Sequence, residues 1–141
     1  MAFSVCGLAA AADIEALSKT YYVQLVRGTD QDNPPQPGAK AIGPKLAKRL
    51  QPVFRWKNYW EMNRVKVTME VGKKTRVRLS KRHEVEIDLS AAGKRTIHFY
   101  QDGKRVSTST QPIGESVTIQ GGNSTAESAW FIVVRRDKPS D

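Results

Sequence analysis

Cysteine and histidine are almost missing from this chain. Its 141 residues hold one cysteine, Cys6, and two histidines, His83 and His98. A lone thiol excludes an intrachain disulfide. No G-x-S-x-G, H-E-x-x-H or Walker-type glycine loop occurs, so the residue patterns that mark nucleophilic, metallohydrolase and nucleotide chemistry are absent. Long hydrophobic runs are absent too: nothing approaches the roughly 18 to 20 apolar residues of a membrane-spanning helix. There is no internal repeat and no low-complexity segment. With 39% apolar and 26% charged residues the chain lies far from the composition of disordered proteins. Its length suits one domain, which at this size removes about two thirds of the unfolded surface from water.

Acidic residues are scarce in one region above all. Residues 41–82 hold thirteen Lys or Arg against two Asp or Glu, whereas 1–40 and 83–141 each carry a net −1, so the overall +9 arises within 42 residues. A basic excess so confined is either a surface for an anionic partner or one half of a charge-complementary sheet whose other half lies downstream.

The N-terminal stretch "AFSVCGLAAAAD" is a short apolar run ending in small residues before an acid. It reads as the back half of a signal peptide, with Ala10 and Ala12 meeting the small-x-small preference and Asp13 opening the mature chain. The positive segment that begins such a leader is missing, and the alternative is a helical N-terminal arm. Cys6 follows the bulky Val5, which argues against a lipid-anchoring site. The expected organisation is a leader or arm over 1–20, one β-rich domain over 21–137 and a frayed tail over 138–141. The first option places the protein in the periplasm or outside the cell, the second in the cytoplasm.

Periodicity supplies the fold class. "TYYVQLVRGTD" is apolar on both faces, as in a strand covered on both sides. The proline- and glycine-rich "GTDQDNPPQPGAKAIGP" is a long loop. "GPKLAKRLQPVF" spaces Ile42, Leu46, Leu50 and Val53 by four and three, with Pro44 at a first helical position and Pro52 as a stop, which predicts one short amphipathic helix. From Val53 the period changes to two. "RVKVTMEV", "TRVRLS" and "HEVEIDL" turn Val65, Val67, Met69, Val77, Leu79, Val85, Ile87 and Leu89 inward, with Arg76 and Arg78 outside opposite Glu84, Glu86 and Asp88. Asp102-Gly103 in "RTIHFYQDGKRVSTST" predicts a two-residue hairpin turn. "ESVTIQGGN" reads as a strand ended by glycines, and "AWFIVVRRD" as a strand buried on both faces. Many short strands, one early helix and no βαβ alternation predict a mainly β protein, an antiparallel β-sandwich or small barrel with one short N-terminal amphipathic helix.

Candidate sites follow from that frame. In "FRWKNYWEMNRVKV" the alternation puts Phe54, Trp56, Asn58 and Trp60 inward and Arg55, Lys57, Tyr59 and Glu61 outward, so most rings are segregated from the cations. A platform for stacked bases needs both on one exposed face, and only Tyr59 meets that condition. The anion-facing candidates are Lys45, Lys48, Arg49, Arg55, Lys57 and Tyr59, against the plainer reading of a solvated helix face. His98 shares an outward face with Tyr100. Glu84, Glu86 and Asp88 lie on a straight strand that lacks the curvature to wrap six to eight oxygens around calcium. No catalytic residue, metal or cofactor is assigned.

The segments "YVQLVRGTD", "GPKLAKRL", "FRWKNYWE" and "WFIVVRRDKP" resemble, in that order, a group of uncharacterised exported proteins from bacteria of the Verrucomicrobia and Planctomycetes type. The resemblance covers Tyr21 to Pro139 and implies a leader followed by a compact β-rich domain. Together these readings predict a non-enzymatic exported module that contacts an envelope protein or an acidic surface polymer. The alternatives are a nucleic-acid-binding barrel and, a distant third, a polysaccharide-active enzyme using His98 and Tyr100 or a carboxylate pair.

Overall fold

Among the described residues nine strands and one helix follow in chain order: β1 (Ser18–Thr29), β2 (Lys40–Ala41), α1 (Pro44–Leu50), β3 (Asn58–Glu70), β4 (Lys74–Arg78), β5 (His83–Asp88), β6 (Lys94–Gln101), β7 (Lys104–Pro112), β8 (Val117–Ser124) and β9 (Ser128–Arg135). They belong to a computed structural model that describes residues 18–139. Residues 1–17, which include the leader-like residues 1–12, and residues 140–141 lie outside the described residues. β1 takes in residues 18–20, which therefore belong to the first sheet.

The protein is mainly β. One antiparallel sheet has the order β2-β3-β1-β9-β8, and a second has β4-β5-β6-β7. Their facing sides share one core, in which Tyr21, Leu25, Val67 and Ile132 of the first sheet meet Val85, Ile87, Ile97 and Phe99 of the second. Burying such side chains supplies the main driving force for a sandwich. The first sheet is also covered on its other side. There Val26, Tyr59, Phe131 and Val133 pack against Leu46 and Leu50 of α1 and against Trp56. Cover on both sides explains why β1 and β9 are apolar at successive positions rather than at alternate ones.

Local chemistry agrees with several elements. Asp102 and Gly103 both have positive φ, 53° and 78°, the pair that a tight turn between twisted strands needs. Pro44 opens α1 after Gly43, and the last turn carries Lys48 and Arg49 where the helix dipole favours cations. Val53, placed on the apolar stripe by spacing, is instead 72% exposed, because the chain turns away after Leu50.

Two features depart from the expected alternation. Residues 54–57 form no strand, so Trp56 is buried with Phe54 beneath the helix side without any period-two pattern. Within β3 the register against β1 slips between Leu25 and Val26, where Met62 is the extra residue of a bulge. The bulge inverts the phase, so Trp60 and Val65 point to the same side of the sheet although their positions differ by an odd number. Tyr59 does point away from the sandwich, as alternation implies, but that side lies under α1 and the ring is only 4% exposed. β8 likewise continues through Gly121 and Gly122 to Ser124 with a register slip, where the sequence reads as a strand ended by glycines. A Cβ at Gly122 would sit 2.5 Å from the Phe99 ring, so only glycine lets β8 cross that ring.

Polar groups inside the sandwich were not anticipated. Arg95 has no exposed surface; it donates to the Glu115 carbonyl at 2.8 Å and to the Thr118 hydroxyl, and its guanidinium lies 5.3 Å from the Tyr21 ring. His83 is 2% exposed, with Nδ1 2.8 Å from Ser80 Oγ and its ring 4.3 Å from that of Trp130.

Two outcomes are expected. At Gly28 a Cβ would lie 2.6 Å from Trp56 and 3.1 Å from Phe131, so Gly28→Ala should cost about 1–3 kcal/mol and shift tryptophan fluorescence as Trp56 is displaced, both read by urea unfolding. Burial pushes the His83 imidazole below its usual 6.5, and the neighbouring Arg82 charge adds to that. The unfolded chain takes up this proton first, so stability is full above about 6.5 and is lost as the pH falls toward the folded value. The urea midpoint should therefore drop between about pH 7.5 and about pH 5.5 in the wild type and in His98→Gln, and change little in His83→Gln.

Candidate functional site

The α1 helix covers only part of the outer face of the first sheet. Beside it the face is polar, and a cleft of about 710 Å³ opens between α1, the start of β1, the residues entering β8 and the end of β9. Lys19, Lys45, Arg49, Arg135 and Arg136 line it, with Asp137 as the single carboxylate. Ser18, Thr20 and Ser116 add hydroxyls, and Leu46 and Val117 add apolar surface.

One wall is held by a chain of polar contacts. Arg135 is buried, and its Nε and Nη2 donate to Asp137 at 3.2 and 2.7 Å while Nη1 reaches Gln24 Oε1 at 3.4 Å. Gln24 Nε2 donates to Glu61 at 2.6 Å, and Glu61 receives Arg64 Nε at 3.0 Å. This chain crosses β9, β1 and β3 in the order the sheet sets them side by side, which fixes the guanidinium of Arg135 and so the position of Asp137. Arg135 holds the Asp137 carboxyl far below the usual carboxylate range, with Lys45 at 3.4 Å assisting. The carboxylate is spent on these two cations. Lys19, Arg49 and Arg136 are the other cationic residues of the lining.

The six residues nominated from sequence are only partly assembled. Lys45 and Arg49 line the cleft, while Lys48, one residue away on α1, is exposed outside its lining. Arg55 lies elsewhere, 4.1 Å above the Trp56 ring and bonded to the Ala126 carbonyl at 3.1 Å. Lys57 pairs with Asp32 at 2.9 Å. Tyr59 is enclosed in the cluster under α1 and offers no open face, so it is removed from the candidate surface. Lys19, Arg135 and Arg136 were missed, because they are brought to α1 only by the pairing of β1 with β9. Cations at the ends of two apolar strands were the signal available.

Much of the basic excess is neutralised within the fold. Arg76 and Arg78 both reach Glu84, at 3.3 and 3.1 Å, Arg64 pairs with Glu61, and Arg82 makes two 2.8 Å bonds to Asp102. His98 and Tyr100 do share the outer face of the second sheet, with ring centroids 6.4 Å apart. Comparison with protein-family models, with curated proteins and with solved structures finds no match to this chain.

The ion pair that shapes the cleft wall can be read directly. In wild-type protein the Asp137 carboxyl, followed by carbon NMR, should stay ionised well below its ordinary 3.8, and in Arg135→Met it should titrate much closer to that value. An unaltered titration in the variant would mean that the pair does not form.

Proposed function

We propose that this protein is a non-enzymatic β-sandwich module that binds an acidic surface polysaccharide in the cleft beside α1. The observation that carries this reading is the lining itself: five cationic residues and a single carboxylate that is already paired, in an open depression. Lysine, arginine and an ionised aspartate hold fixed charges across the neutral range, which favours recognition of anions over proton transfer. The hydroxyls of Ser18, Thr20 and Ser116 suit the carboxylate and hydroxyl groups of a uronic-acid polymer. The leader-like residues 1–12 make export, and so a cell-surface polymer, the fitting context.

A nucleic-acid reading finds less support. Bases bound without sequence preference stack on exposed aromatic rings. Trp56 and Tyr59 are enclosed under α1, and no ring is among the residues that line the cleft.

The test is calorimetric titration of an oligouronate into the wild type at low and at moderate salt, with a single-stranded oligonucleotide of equal charge alongside. The uronate should bind more weakly as salt screens the cleft. Lys45→Glu combined with Arg49→Glu should weaken it by about tenfold or more, about 1.4 kcal/mol, whereas Lys48→Glu should leave it near the wild-type value. No binding at low salt, or equal binding by the double variant, rejects the cleft. Tighter binding of the oligonucleotide moves the assignment to nucleic acid.

A further inference from the structure

The outer face of the second sheet holds a donor set used neither by the cleft nor by the core. Glu86 on β5 and His98 on β6 are direct cross-strand partners, and Asp88 lies two residues beyond Glu86, so all three project from one face. An imidazole nitrogen and one oxygen of each carboxylate lie within 4.8 Å of one another. Three donors at i, i+2 and the position opposite i make a triangle that a flat strand pair supplies without curving. The objection to calcium therefore does not extend to a small transition ion, which needs three or four donors rather than six to eight.

The side chains around the triangle leave it available. Arg76 stands opposite Glu86 in register but turns to Glu84 at 3.3 Å and over the Tyr100 ring at 4.0 Å. Among the described residues Glu86 thus has no lysine or arginine as an ion-pair partner; its neighbour is His98 Nε2 at 4.0 Å. That distance is too long for a hydrogen bond. The ligand atoms of a tetrahedral zinc lie roughly 3.4 Å apart, so a small rotation of either side chain closes the gap around an ion.

Two neighbours orient the donors from outside the triangle. Thr108 Oγ1 on β7 bonds His98 Nδ1 at 2.9 Å, which fixes the ring and directs Nε2 to the acids, the arrangement usual behind a metal-bound histidine. The backbone N–H and hydroxyl of Ser90 both donate to Asp88 Oδ1 and hold that carboxyl below its ordinary range. One nitrogen with two oxygens matches zinc and its transition-metal neighbours better than calcium or magnesium. Lys74, opposite Asp88, opposes a cation and keeps the affinity modest.

We propose that Glu86, Asp88 and His98 form a three-ligand site for a divalent transition ion, zinc by donor type, on the solvent face of the second sheet. The remaining coordination positions face solvent. Zinc chloride is titrated into the full chain carrying Cys6→Ser, so that the only thiol does not compete. One equivalent should bind, and calcium should not. His98→Ala should abolish this binding, and Thr108→Val should weaken it by about tenfold or more through loss of ring orientation. Nitrogen NMR of the Cys6→Ser protein needs no change at the site: zinc should shift the His98 Nε2 signal and leave that of the buried His83 in place. An unmoved His98 signal at saturating zinc, or undiminished affinity in folded His98→Ala, overturns the site.

Discussion

Burial of the first sheet on both of its sides is the constraint from which the rest of the structure follows. On one side lies the second sheet, on the other α1 with Phe54 and Trp56, and the two central strands β1 and β9 contribute side chains to both clusters. The cover is unequal in length. A seven-residue helix spans about 10 Å, whereas the twelve residues of β1 run to about 40 Å. Toward the end that α1 leaves uncovered, the buried Gln24, Glu61 and Arg135 replace apolar side chains with a hydrogen-bonded chain, and beyond them the cleft opens. The cleft is thus the uncovered end of a sheet whose other end is dry.

Charge is organised by the same geometry. The basic middle of the chain supplies β4 with Arg76 and Arg78, and the hairpin to β5 sets Glu84 across from them. Such exposed pairs each contribute little to stability. They do neutralise part of the charge on the second sheet, whereas at the cleft Asp137 is the single acid among five cationic residues. The two faces of the sandwich consequently offer opposite chemistry: cations beside α1, and on β5 and β6 a carboxylate pair with an imidazole.

Polar residues within the core mark where strand pairing overrode composition. Arg95 and His83 continue the inward series of Ile97 and Phe99 and of Val85 and Ile87, so the alternation already implied their burial although their chemistry did not. Each is accommodated through neighbours that hydrogen-bond to it, Thr118 and the Glu115 carbonyl for Arg95, Ser80 for His83. The price of burying an imidazole is its depressed affinity for protons, which ties the stability of the fold to pH.

The amino-acid order alone determined the β class, the helix from Pro44, the Asp102-Gly103 turn and the inward residues of β4, β5 and β6, because each depends on backbone preferences and side-chain periods acting over a few residues. It also located two of the cleft cations, Lys45 and Arg49, on the exposed side of α1. Only tertiary structure decided that Tyr59 lies under a helix, that a bulge at Met62 inverts the phase of β3, and that Lys19 and Arg136, over a hundred residues apart, stand at one opening. Those outcomes arise from which strand pairs with which and from what covers the far side of a sheet. Periodicity distinguishes the two sides of a strand, but whether a side meets water depends on a partner that is distant in the chain.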